Sequence, residues 1–276
     1  MMVQMADDSL TTLNWLVEAG ADEAITDEPV NRLVAKAAVA PMPVAPPRPA
    51  APARATVAVR APVAAPAGDD AIGGAMAAAA AAGSLPELQA ALEAFEGCGL
   101  KRTATSTVFA DGVAHAPVML IGEAPGRDED RSGKPFVGRA GQLLDKMLAS
   151  IGLDRKANAY ITNVINWRPP DNRDPSPEEA AACLPFLRRH IELANPQVII
   201  LLGAVAARHV VGVSDGIMKL RGRWMEYRVG DRMVPLMPTL HPAYLLRQPA
   251  HKKLAWRDLQ SVRDRLRTLA GTGDAV

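Results

Sequence analysis

Five consecutive residues, Val198-Ile199-Ile200-Leu201-Leu202, are all apolar, as are Val118-Met119-Leu120-Ile121 earlier in the chain. A strand with one wet face alternates, whereas a strand apolar at every position is buried on both faces, as in a parallel sheet covered by helices. Tyr160-Ile161-Thr162-Asn163-Val164-Ile165, rich in β-branched residues, reads as another strand between them. Helical signals separate these runs. Ala140, Leu143, Leu144, Met147, Leu148 and Ile151 fall on one face of a helix. Ser176-Pro177-Glu178-Glu179 is a capping box with Pro at the first helical position. Its helix continues towards Ala194, with Pro185 either kinking it or starting a second one. Gly203 opens a helix to about Val211. Trp224 to Val229 and Val234 to Leu240 read as a hairpin turning at Gly230-Asp231. The last helix, from about His251 to Leu269, turns Ala255, Leu259, Val262, Leu266 and Leu269 inward. Strands alternating with helices predict the α/β class, a three-layer α/β/α domain with a mostly parallel central sheet.

That domain is expected over residues 85–276, opening with a helix from Leu85 to Phe95. Residues 37–84 are dominated by Ala, Pro and Val, a composition that buries little and predicts a disordered, semi-rigid linker. Residues 1–36 form an N-terminal extension in which Leu10, Leu13, Trp15, Leu16 and Val17 give a short helix an apolar side. Net charge is +1, but residues 1–84 hold five Lys/Arg against nine Asp/Glu, and 219–268 hold twelve basic against four acidic residues. The latter segment is a candidate surface for a polyanion. Two cysteines, Cys98 and Cys183, make no disulfide framework. The start carries Asp7 and Asp8 without a basic stretch, unlike a signal peptide, and no apolar run approaches the roughly 18 residues of a membrane span. A cytoplasmic protein is the expectation.

Chemistry concentrates in Gly122-Glu123-Ala124-Pro125-Gly126-Arg127-Asp128-Glu129-Asp130, continuing through Pro135-Phe136-Val137-Gly138. The segment reads as a long loop at the carboxyl end of a strand, where open α/β sheets bind ligands. Asn163 ends another strand, and His241 follows Leu240. If those strands are parallel neighbours, Phe136, Asn163 and His241 share one cleft. An aromatic plate, a carboxamide and an imidazole suit a flat heterocycle: a ring to stack, an edge to read, and a place where negative charge develops.

The loop, the Ile161-Thr162-Asn163 strand with its Arg168-Pro169-Pro170 sequel, and His241-Pro242-Ala243-Tyr244-Leu245-Leu246 together resemble the family 4 uracil-DNA glycosylases over about residues 95–269. The resemblance implies excision of uracil from DNA after the nucleotide is flipped out of the stack. It implies that Phe136 stacks on the base, that Asn163 reads its polar edge, and that His241 stabilises the departing anion at O2. Glu123, Ala124 and Glu129 match further pocket positions. Ala124 stands where a better-known related family has aspartate, which leaves Glu123 as the candidate to activate water. Leu245, Leu246 and Arg247 would enter the gap left by the flipped nucleotide, and the basic segment would meet phosphates. DNA containing uracil is the implied partner of a monomer, and residues 1–36 are the candidate segment for a protein partner. The family usually carries a four-iron, four-sulfur cluster on four cysteines. Here Phe95 and Trp167 occupy two ligand positions and only Cys98 and Cys183 remain, so no cofactor is expected. Two rivals stand beside this reading. One is a non-catalytic protein that captures uracil or another damaged base in DNA. The other is a nucleotide-binding enzyme using the loop on phosphate, which the acidic Glu123, Asp128, Glu129 and Asp130 oppose.

Overall fold

A computed structural model describes residues 69–273. The expected N-terminal helix, and the linker as far as residue 68, lie outside the described residues. In chain order the elements are α1 (Asp69–Ala81), α2 (Leu85–Ala94), β1 (Asp111–Gly112), β2 (Val118–Gly122), α3 (Arg127–Ser132), α4 (Arg139–Ala149) and β3 (Ala159–Asn163). They continue with α5 (Pro177–Ala194), β4 (Val198–Leu202), α6 (Ala204–Val211), α7 (Ile217–Leu220), β5 (Met225–Val229), β6 (Arg232–Thr239), α8 (Pro242–Arg247) and α9 (Lys252–Gly273). The sheet runs β1-β3-β2-β4-β6-β5, parallel from β3 through β6, with β1 and β5 as antiparallel edges.

The apolar runs divide between two cores by the period-two alternation of strands. Met119, Ile121, Ile199 and Leu201 face a layer containing α1, α2, α5 and α6. Val118, Leu120, Ile161, Ile200 and Leu202 face α4, α8 and α9. The α/β/α expectation therefore holds, and Gly230-Asp231 is the hairpin loop, with Gly230 at φ 57°. Pro185 lies inside one continuous α5 and divides nothing.

Three expectations change. Residues 69–81 are helical, against the predicted linker through residue 84. Pro66 is the last proline before Pro86, and the alanine-rich stretch between them has the highest intrinsic helix propensity. Ala75 and Ala79, one turn apart, are buried against α5, and Arg189 donates from Nε and Nη2 to Ala82 O at 3.0 and 2.9 Å. The loop after Gly122 contains α3, because Gly126 starts it and Gly133 at φ 71° stops it. The third strand ends at Asn163, with Val164 and Ile165 donating instead to Gly122 O and Glu123 O at 3.0 and 2.9 Å.

A charge at Ala75 would have no partner beneath α1. Ala75→Glu is expected to lower stability by about 3 kcal/mol or more, while Ala77→Glu, on the exposed side, changes it by about 0.5 kcal/mol or less. Thermal melting of both variants checks this.

Candidate active site

Parallel pairing brings the carboxyl ends of β2, β3, β4 and β6 to one edge of the sheet. Gly122 stands opposite Asn163 in the β2/β3 register, Gly203 follows β4, and His241 follows β6 after Leu240. Both glycines are small because side chains from neighbouring strands occupy their space. A Cβ on Gly122 would overlap Asn163 Oδ1 and sit 2.6 Å from the Phe136 ring. One on Gly203, at φ 96°, would stand 3.1 Å from His241 Cβ. Phe136, Asn163 and His241 thus line one cavity of about 600 Å³, together with Glu123, Ala124, Glu129, Tyr244 and Arg247. The Phe136 and His241 rings lie 5.5 Å apart, tilted by 35°.

Asn163 is 2% exposed, and its Oδ1 has no hydrogen-bond partner. An unsatisfied buried acceptor costs about 1–3 kcal/mol, so a ligand that brings a donor to Oδ1 recovers that cost. His241 caps α8, its Nδ1 accepting from the Ala243 N–H at 3.1 Å. Burial, and then the Arg247 charge, push its pKa down from 6.5 to about 4. A neutral imidazole that accepts at Nδ1 carries its proton on Nε2. The β6 end that delivers His241 is anchored from α9: Thr239 Oγ1 donates to Asp258 at 2.7 Å, and Arg221 pairs with the same carboxylate.

Phe136 holds φ 54°, a left-handed conformation that costs a non-glycine residue about 1 kcal/mol or more. Arg155 compensates. Its guanidinium donates to Phe136 O at 2.8 Å and Pro135 O at 3.2 Å, and to Asp111 and Asp145 carboxylates at 3.0 and 2.7 Å. Gly141 leaves room for this, since a Cβ there would overlap the Phe136 carbonyl.

The acidic residues do separate jobs. Glu129 accepts from the N–H groups of Gly126, Val137 and Gly138 at 3.1, 3.0 and 3.0 Å, winding the loop into its cup. Buried Asp130 ties α3 to the backbone of Thr105 and Ser106 at 2.8 and 3.1 Å. Glu123 stays at the cavity wall, where burial and then Asp174 raise its pKa above the usual carboxylate range and Arg208 partly offsets them.

A model of the uracil DNA glycosylase superfamily matches residues 109–260. The type-4 uracil-DNA glycosylase of Thermotoga maritima is 40% identical over 169 residues, covering 60% of this chain and 86% of that protein. That of Archaeoglobus fulgidus is 44% identical over 156 residues, covering 55% and 78%, and that of Sulfurisphaera tokodaii 36% over 186 residues, covering 66% and 84%. The chain belongs to the uracil-DNA glycosylase superfamily.

Within this superfamily domain, one expected DNA contact moves. Leu245 is 1% exposed and packs with Leu144 and Leu259 in the lower core, whereas Leu246 is 37% exposed and Arg247 is open. Adjacent residues on a short helix point in different directions, so α8 presents only one of the two leucines. Nor is 219–268 a single basic face, since Arg221 is spent on Asp258 and Arg232 on Asn195 and Pro196 O.

A four-thiolate cluster does not fit the donor set. The Cys98 and Cys183 thiols are buried and hydrogen-bond each other, which holds the first pKa down and, with burial, the second well up. Phe95 packs on Phe186 at 5.1 Å, and fully buried Trp167 donates from Nε1 to Thr107 Oγ1 at 3.0 Å. Among the described residues no group of three or more His, Cys, Asp or Glu side chains is placed to hold a metal ion.

Sequence reasoning missed Arg155 and the Arg221–Asp258 pair, and it named Tyr244 in its motif without a role of its own. Gly122 alone left a signal, as a glycine ending a strand otherwise made of large apolar residues. Arg155→Ala is expected to cost about 1–3 kcal/mol and to release Phe136 from its left-handed backbone. Arg155→Lys should recover less than half of that, because an ammonium lacks the planar fork. Melting temperatures of the two variants provide the comparison.

Proposed function

We propose that this chain hydrolyses the N-glycosidic bond of uracil in DNA and leaves an abasic site. The observation that carries the reading is the unpartnered Asn163 Oδ1, 2% exposed at the floor of a cavity walled by an aromatic ring and an imidazole. Uracil offers an N–H donor at N3 and a carbonyl at O4, so one carboxamide satisfies both. Cytosine offers an acceptor at N3 and would leave Oδ1 facing a lone pair. That mismatch is the physical basis of selection.

The base stacks on Phe136 after flipping, at a cost of a few kcal/mol. As the C1′–N1 bond breaks, its electron pair moves into the uracil ring and charge accumulates on O2. His241, already neutral, donates from Nε2–H to that oxygen and needs no proton transfer to begin. The sugar becomes oxocarbenium-like, and water held by Glu123 adds to C1′, giving its proton to the carboxylate. Ala124 supplies no second carboxylate. Leu246 and Arg247, both exposed on α8, fill the vacated stack.

No cluster enters this chemistry. Two buried thiols and the aromatic packing of Phe95 and Trp167 support a cluster-free domain, and an iron-to-protein ratio near four in anaerobically purified protein would refute it. A protein partner is proposed for residues 1–36, which precede the matched residues 109–260 in the sequence.

Uracil-containing oligonucleotides treated with protein and then alkali should be cut at uracil by the wild type. Asn163→Ala and His241→Ala should each lose about 100-fold or more in rate. Binding of the same strand without scission by folded wild type would instead favour a capture protein. The pH dependence has a defined sign. His241, neutral down to about pH 4, contributes no inflection between about pH 5 and 8. Glu123 works deprotonated with a raised pKa, so kcat falls as pH drops through that value. In Glu123→Gln the acid limb should vanish along with most of the rate.

A further inference from the structure

Helix α8 separates two depressions. Ala243, Tyr244 and Arg247 line the base cavity, while Leu245 forms part of a second cavity of about 210 Å³ with Leu143, Met147, Ala255, Trp256 and Leu259. On α4 the two cavities are one turn apart, because Ala140 lines the first and Leu143 the second, a step of about 5 Å. The second cavity is almost wholly apolar, yet its rim is basic. Lys146 and Lys252 stand on it, and Lys253 and Arg257 flank Trp256 along α9. All four are exposed, and among the described residues no carboxylate pairs with them. Trp256 is 39% exposed, the largest apolar side chain left open on this face.

An open indole among unpaired cations, over an apolar floor, is the combination that binds single-stranded nucleic acid: the ring stacks a base and the cations take the phosphates on either side. Its place across α8 from the base cavity is what selects the occupant. A strand that crosses α8 with its uracil in the first cavity meets Leu246 and Arg247, both exposed there. A neighbouring nucleotide then arrives at the second.

We propose that the groove between α4 and α9 is a second nucleobase site, in which a base flanking the flipped uracil in single-stranded DNA stacks on Trp256 while Lys146 and Lys252 hold its phosphates. In duplex DNA that flanking base stays paired and stacked, so the groove adds affinity for unpaired strands only. The inference rests on the glycosylase reading for its register and sets the strand preference that the base cavity alone leaves open.

The test measures KM for uracil excision from one sequence in single- and double-stranded form, using the full chain. Trp256→Ala should raise the single-strand KM about tenfold, the order one base–aromatic stack supplies, and the duplex KM less than about twofold. Trp256→Phe should recover most of the loss, because phenyl also stacks. Equal KM values for wild type and Trp256→Ala, or equal losses on both substrates, would overturn the proposal. Tryptophan emission provides a second readout that needs no turnover and no alanine variant. A uracil-free oligothymidylate should quench the wild type more than Trp256→Phe, and identical quenching would also overturn it. Wild type that releases no uracil from either substrate contradicts the glycosylase reading, while the oligothymidylate titration still decides whether the groove binds a strand.

Discussion

Everything at the carboxyl edge of the sheet depends on the absence of a side chain at Gly122. The backbone pairing that sets Gly122 opposite Asn163 would ordinarily place two Cβ atoms side by side. With one missing, Asn163 Oδ1 and the edge of the Phe136 ring both occupy the space that a Cβ would fill. Gly203 repeats the arrangement one strand over for His241. A sheet buried on both faces is the rigid frame such an arrangement needs, since reacting groups displaced by about 1 Å lose much of their effect.

The cup that presents Phe136 is wound by charge rather than by apolar packing. Glu129 gathers three backbone N–H groups, Asp130 gathers two, and Arg155 holds two carbonyls from outside. Acidity that argues against a phosphate-binding loop is therefore consumed internally. The left-handed Phe136 backbone is the local cost, and it buries the ring to 6% exposure while keeping one face towards the cavity.

Much of this was legible in the sequence because it is written in local patterns. Unbroken apolar strands announce a covered parallel sheet, and three strand-end segments then converge by topology alone. What was not legible depends on contacts between distant segments. Nothing near Arg155 indicates that it reaches Asp111 and Phe136, nor near Asp258 that it serves Thr239 and Arg221. Residues 69–81 depart from the linker expectation because the prolines stop at Pro66 and alanine predominates after it. Leu245 was misread as a surface residue because its motif fixes that α8 exists but not its rotation about the helix axis.

The buried thiol pair bears on how the domain keeps Asn163 in register. By resemblance, a cluster would join the segments around residues 95–98, 167 and 183. Here the first and last of those segments are joined by the Phe95–Phe186 and Cys98–Cys183 contacts, and Trp167 is held by its hydrogen bond to Thr107. Beyond β3 the chain is held again: Val108 N donates to Asn166 O at 2.8 Å, and Asn166 Nδ2 donates to Val108 O at 3.1 Å. That reciprocal pair, three residues from Asn163, uses no thiol. The position of the Asn163 carboxamide thus follows from strand pairing on one side and the Val108–Asn166 pair on the other.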